Sequence, residues 1–165
     1  MQGFDVPEIQ QLLSQAKQSK TTGLRPLTPS LTSPGGRLLR TLNGHSHWVR
    51  AVAVTADGKR AISGSDDTTL KLWNLETGEQ LFTLNGHSHS VNAVAVTADG
   101  KRAISGSDDN TLKLWNLETA EVIASFTGES PINCCAVARD GVTIVAGEAS
   151  GRMHFLRLEG MEASP

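Results

Sequence analysis

A chain of 165 residues, 38% of them hydrophobic, is long enough for one domain with a buried core. Its net charge of −2 gives no electrostatic basis for binding nucleic acid or an anionic membrane surface. No run of about 18 apolar residues could form a membrane-spanning helix, and MQGFDVPEIQ lacks the basic and apolar regions of a signal peptide. A cytoplasmic protein is therefore expected. Cys134 and Cys135 agree with this, because neighbours in a strand point to opposite faces and seldom pair.

Residues 1–20 predict an amphipathic helix. Asp5 and Glu8 have capping-box spacing, Pro7 suits a first turn, and Ile9, Leu12, Leu13 and Ala16 share one face. Residues 21–37 are rich in Pro, Gly, Ser and Thr, which predicts an extended linker. The fold is then expected over 38–160, as three units at about 38–80, 81–122 and 123–160, followed by a tail at 161–165.

The segment Leu38 to Leu42, LLRTL, reads as a lone strand. Its counterparts further along are QLFTL at 80–84 and VIASF at 122–126. Leu42 to Glu79 is then written a second time as Leu84 to Glu121. Only Trp48/Ser90, Arg50/Asn92, Thr68/Asn110 and Gly78/Ala120 differ. A period of about 40 residues signals a repeat architecture. Within the unit, Val49 to Val54 is an almost continuous apolar run, as expected of a strand buried on both faces. Asp57-Gly58 predicts a hairpin turn, Arg60 to Gly64 a second strand, Asp66-Asp67 a second turn, and Leu70, Leu72 and Trp73 a third strand. Four short antiparallel strands separated by closely and regularly spaced turns describe one propeller blade.

Gly44-His45, Ser63 to Asp67 and Leu72 to Asn74 resemble the motifs of the WD-repeat (WD40) family, as do Gly86-His87, Ser105 to Asp109 and Leu114 to Asn116. The signature Trp-Asp pair is Trp-Asn here in both units. The third unit keeps Asp140-Gly141 and its apolar strands, but the motif positions read Gly128-Glu129, Ala146 to Ser150 and Phe155 to Arg157. The resemblance implies an all-β chain of WD-repeat propeller blades, the last one degenerate, and the chain also resembles a shortened bacterial, cyanobacterial-type WD-repeat protein.

It further implies a hydrogen-bonded tetrad in each full unit: His45, Ser63, Asp67 and Trp73, then His87, Ser105, Asp109 and Trp115. On paper each set includes the Ser, His and Asp of a nucleophilic triad. Duplication in near-identical units favours a structural role, so no catalytic residues and no enzyme are expected. The third unit, lacking such a set, is expected to rely on packing. The pairs His45/His47 and His87/His89 lack a third ligand, and no alternating oxygen ligands follow the Asp pairs, so neither a metal nor any other cofactor is expected.

Positions 48 and 50 lie two residues apart, on one face of a strand, and the resemblance implies that their turn and the turn carrying position 68 open on the same, partner-binding face of a propeller. Trp48, Arg50, Thr68, Ser90, Asn92 and Asn110 are therefore candidates for a protein-binding face; Trp and Arg are enriched in binding hot spots. A propeller typically closes with about 4 to 8 blades, and three cannot close. Two chains would give six, each completing the other's third unit with Leu38, Leu39 and Leu42. The expected function is a protein-interaction scaffold and homodimer. The alternative is a remnant, or a regulatory or sensor fragment, of a larger bacterial signalling protein, with a propeller hydrolase ranked last.

Overall fold

The computed structural model describes residues 38–160; the expected helix, linker and tail lie outside them. The described residues form eleven strands and no helix. In the first sheet β1 (Val49–Val54), β2 (Arg60–Ser65), β3 (Leu70–Asn74) and β4 (Gln80–Leu84) pair in sequence order, antiparallel. The second repeats this with β5 (Val91–Val96), β6 (Arg102–Ser107), β7 (Thr111–Asn116) and β8 (Val122–Thr127). The third holds only β9 (Ile132–Val137), β10 (Thr143–Glu148) and β11 (Met153–Arg157).

The third sheet thus has three strands rather than the four of a full unit, and nothing among the described residues pairs with the outer edge of β11. Residues 38–45 are not in a strand either, and Leu38 and Leu39 are exposed. Among the described residues no sheet lies upstream of β1, so LLRTL has no ladder there to join.

The core lies between consecutive sheets. Ile62, Leu70, Leu72 and Leu84 of the first meet Val91, Ala103, Trp115 and Leu117 of the second. Ile104, Leu112 and Leu114 of the second meet Ile132, Ile144 and Ala146 of the third. Fully burying each Leu or Ile contributes about 1.5–3 kcal/mol. Both contacts are built alike around a glycine. A Cβ on Gly64 would stand 2.6 Å from Val91 Cγ1, and one on Gly106 would stand 2.5 Å from Ile132 Cγ2. Only glycine leaves room there for the aliphatic side chain of the next sheet.

This layering corrects the expectation that the first strand is buried on both faces. Val52 is 68% exposed, and Val49 and Val54 are also exposed, whereas Val91 is fully buried. Val91, Val94 and Val96 pack on the first sheet; their equivalents Val49, Val52 and Val54 meet no preceding sheet among the described residues. An open cavity of about 370 Å³ lies on that uncovered face, lined by Val49, Val52, Ala61 and Trp73 among others.

Two of the four differing positions share a backbone constraint. Thr68 and Asn110 sit at φ 69° and 65° in the second turn, and Gly78 and Ala120 at 81° and 61° in the third. Asn tolerates the left-handed region, whereas a β-branched residue is an outlier there. Thr68→Asn is expected to raise the unfolding free energy by about 1 kcal/mol, read from a urea titration. An unchanged midpoint would mean that Thr68 carries no strain.

Candidate functional site

The second turn of each full sheet folds around a carboxylate. Asp67 Oδ1 accepts from the N–H and hydroxyl of Thr69 at 3.0 and 2.7 Å, and Ser65 Oγ accepts from the Asp67 N–H at 3.1 Å. That leaves Oδ2 aimed at the entry to β1, where it accepts from the Ser46 N–H at 3.1 Å and His45 Nδ1 at 2.8 Å. His45 Nε2 lies 2.8 Å from Ser63 Oγ, which accepts from Trp73 Nε1 at 2.8 Å. The second sheet repeats the arrangement. His87 Nδ1 is 2.8 Å from Asp109 Oδ2, its Nε2 is 2.7 Å from Ser105 Oγ, and Trp115 Nε1 donates to Ser105 Oγ at 2.8 Å.

The donors and acceptors fix one direction along this chain. A carboxylate only accepts, so Nδ1 carries the imidazole proton and a neutral ring presents Nε2 as acceptor. The serine hydroxyl then donates to Nε2 while accepting from the indole. Every polar group is satisfied by a neutral imidazole. Burial pushes the His87 pKa down, and Asp109 only partly offsets that. Burial pushes the Asp109 carboxyl up, but hydrogen bonds from Thr111, His87 and the Ser88 backbone outweigh it and hold it well below the usual range. Asp67 behaves likewise through Thr69, His45 and Ser46.

The sign of the pH dependence follows. An unfolded His87 takes a proton near pH 6.5, so its contribution is full above about 6.5 and declines as the pH falls toward the lowered folded value. Asp67 and Asp109 contribute fully above about 4 and lose this as the pH falls through their depressed folded values. The urea midpoint is expected to drop between pH 7 and 5, and again below 4. A midpoint constant from pH 7 to 5 would show that His87 is not held neutral by the fold.

Ser63 and Ser105 are buried with their oxygens already engaged, so neither is placed as a nucleophile. His47 and His89 are exposed while their partners point inward, so the two histidines of each pair do not converge. Thr69, Thr111, Ser65 and Ser107 bind the Asp side chain or the backbone of its turn and were not singled out from sequence. The signal was present: both lie at fixed spacing around the Asp in each unit.

The third sheet has a polar set of its own, which corrects the expectation that it relies on packing alone. Glu148 is buried where the other units carry Ser65 and Ser107. Its Oε1 accepts from the Glu129 N–H at 2.9 Å and lies 3.0 Å from His154 Nε2, and its Oε2 accepts from Ser150 Oγ at 2.7 Å. The hydrogen bond from Ser150, with His154 in support, holds the Glu148 carboxyl below its ordinary value. Both cysteines are free thiols. Cys134 is exposed; Cys135 points at the second sheet, its Sγ 3.8 Å from the Ile104 carbonyl, and burial pushes its pKa up to about 12.

Trp48 and Arg50 lie beside the second turn of the first sheet, which also carries Thr68; there the Asp66 N–H donates to the Trp48 carbonyl at 2.9 Å. Trp48 is 74% exposed and precedes β1 rather than lying on it. The Arg50 guanidinium lies 5.5 Å from its ring centroid and forks onto Asp66 at 2.7 and 2.9 Å. In the second unit the Asp108 N–H donates to the Ser90 carbonyl at 3.0 Å, and Asn92 Nδ2 donates to Asp108 at 2.6 Å and to the Ile132 carbonyl at 3.4 Å.

Residues 36–74 and 78–116 match the family model described as WD domain, G-beta repeat. Among curated relatives, the small ribosomal subunit protein RACK1 of Dictyostelium discoideum is 39% identical over 72 residues, 44% of this chain and 22% of that protein. The nuclear distribution protein PAC1-2 of Uncinocarpus reesii is 46% identical over 65 residues, 39% and 14% respectively. The nuclear distribution protein nudF of Aspergillus niger is 40% identical over 68 residues, 41% and 15%. The chain matches less than a quarter of the length of each. The likeness to WD repeats thus rests on residues 36–74 and 78–116, whose motif residues meet in the first two of the three antiparallel sheets.

Proposed function

We propose that the chain is a non-catalytic protein-interaction scaffold, and that two copies close a six-bladed ring. Its partner is a protein held by the surface that carries Trp48, Arg50 and Thr68, with Ser90, Asn92 and Asn110 at the matching place on the second sheet. The observation that carries this reading is the Trp48–Arg50–Asp66 arrangement. A wide indole stands in solvent, already oriented by a guanidinium that is itself fixed by a carboxylate. Such an anchor loses little freedom on binding and offers a large contact area. The two Ser-His-Asp sets support a structural role, because their serines are buried and bonded. Two free thiols suit a reducing, cytoplasmic compartment.

The uncovered outer faces of the first and third sheets also suit a second reading, a sensor or regulatory piece of a larger signalling protein. The primary reading is tested by affinity capture from the native host, comparing the full chain with Trp48→Ala/Arg50→Ala. The double variant is expected to lose the captured proteins while keeping its unfolding free energy within about 1 kcal/mol, as surface changes do. Undiminished capture would move the binding surface elsewhere.

A further inference from the structure

We infer that residues 38–42 of one copy form the missing fourth strand of the third sheet in a second copy, with Leu42 opposite Met153 and Arg40 opposite Phe155. This rests on the two-copy reading above and specifies its interface.

The receiving face is a third use of a contact that the chain already makes twice. Val91 sits over Gly64, and Ile132 over Gly106. In the third sheet Gly147 holds the equivalent place, flanked by Val145, Met153 and Phe155 where the second sheet has Ile104, Leu112 and Leu114. Leu112 and Leu114 are buried, yet Met153 and Phe155 are 61% and 74% exposed. Among the described residues only Cys134 approaches Gly147, its sulfur 2.7 Å from where a Cβ would stand. The donating face is the uncovered side of the first sheet. Val49, Val52 and Val54 hang in solvent there, although their equivalents in the second sheet are packed.

Joining the two open faces across copies seats Val49 on Gly147. The chain then delivers its own strand. Val49 follows Leu42 at the same spacing as Val91 follows Leu84, so a β1 docked like β5 carries 38–42 to the place of β4. LLRTL matches QLFTL in its second leucine, its threonine and its last leucine. The existing ladders set the register. Leu70 opposes Leu84 and Leu72 opposes Phe82 in the first sheet; Leu112 opposes Phe126 in the second. A polar contact repeats too. Asn92 donates to the Ile132 carbonyl across the second and third sheets, and Asn133 is in position to do the same to Val49 of the other copy. A head-to-tail contact of this kind closes with two copies, because six blades fall in the usual range and nine do not.

The test uses the full chain. Light scattering on the unaltered protein is expected to give about twice 17.5 kDa. In a Cys134→Ser/Cys135→Ala background, Leu42→Cys with Met153→Cys is expected to oxidise to a covalent dimer reversed by reductant, since directly opposed antiparallel residues lie at disulfide distance. Leu42→Cys with His154→Cys, one residue out of register, is expected to cross-link at least several-fold less. Phe155→Asp, with native cysteines, is expected to be monomeric with unchanged strand content by circular dichroism. A dimeric mass without the 42–153 cross-link, or a dimeric Phe155→Asp, overturns the strand exchange and leaves the two-copy ring. A monomeric unaltered chain overturns both. A ladder of higher covalent species overturns closure by two copies.

Discussion

Trp115→Ala is expected to cost about 3–5 kcal/mol of unfolding free energy, the range for deleting a buried aromatic side chain. Trp115 has no exposed surface and packs in the cluster that joins the first two sheets. Its Nε1–H is also the first donor in the chain that runs through Ser105 and His87 to Asp109. Alanine would therefore open a cavity between the sheets and remove the serine's donor together. Trp115→Phe separates the two losses. It keeps most of the ring but not the N–H, and is expected to cost about 1–3 kcal/mol less than alanine does. The measurement is a urea titration by circular dichroism. If phenylalanine cost as much as alanine, the hydrogen bond rather than the ring packing would hold the sheets together.

Gly106→Ala is expected to destabilise by about 1–3 kcal/mol despite adding only one methyl group. The new carbon would lie 2.5 Å from Ile132 Cγ2 and 3.3 Å from the Ile132 carbonyl oxygen, and the latter belongs to a strand that cannot rotate away. Gly64→Ala meets Val91 in the same manner. Ile132→Ala in the Gly106→Ala background should be cheaper than the sum of the two single changes, because the smaller side chain vacates the contested space. Strict additivity in that double variant would show that the glycine is needed for another reason.

Much of the site was legible because its residues come as a spaced set. His45, Ser63, Asp67 and Trp73 recur at unchanged spacing as His87, Ser105, Asp109 and Trp115, and the structure brings each set within hydrogen-bonding distance. What was not legible depends on neighbours rather than on local sequence. Ala51 to Val54 and Ala93 to Val96 are the same four residues, yet Val52 and Val54 are exposed while Val94 and Val96 pack on the first sheet. No reading of the strand alone could separate them, because the difference is whether another sheet packs on that face. The Glu148–His154–Ser150 set was hidden for another reason. Measured against the motif, Ala146 to Ser150 looks like a loss, and only the folded chain shows the carboxylate turning inward to occupy the gap. In sequence Thr68 and Asn110 read as candidates for a protein-binding face, and their positive φ shows that the turn constrains them as well.

The glycine seats between sheets make each repeated unit behave like a tile with a fixed tongue and groove. Val91 in Gly64 and Ile132 in Gly106 are one joint made twice. Inserting or deleting a whole unit would cut the chain between joints and remake the same joint, so packing offers no resistance to a change in copy number. Near-identical DNA is prone to such gains and losses by unequal crossing-over. The length of a protein built this way is then decided by what the finished assembly must hold, not by what its core will tolerate.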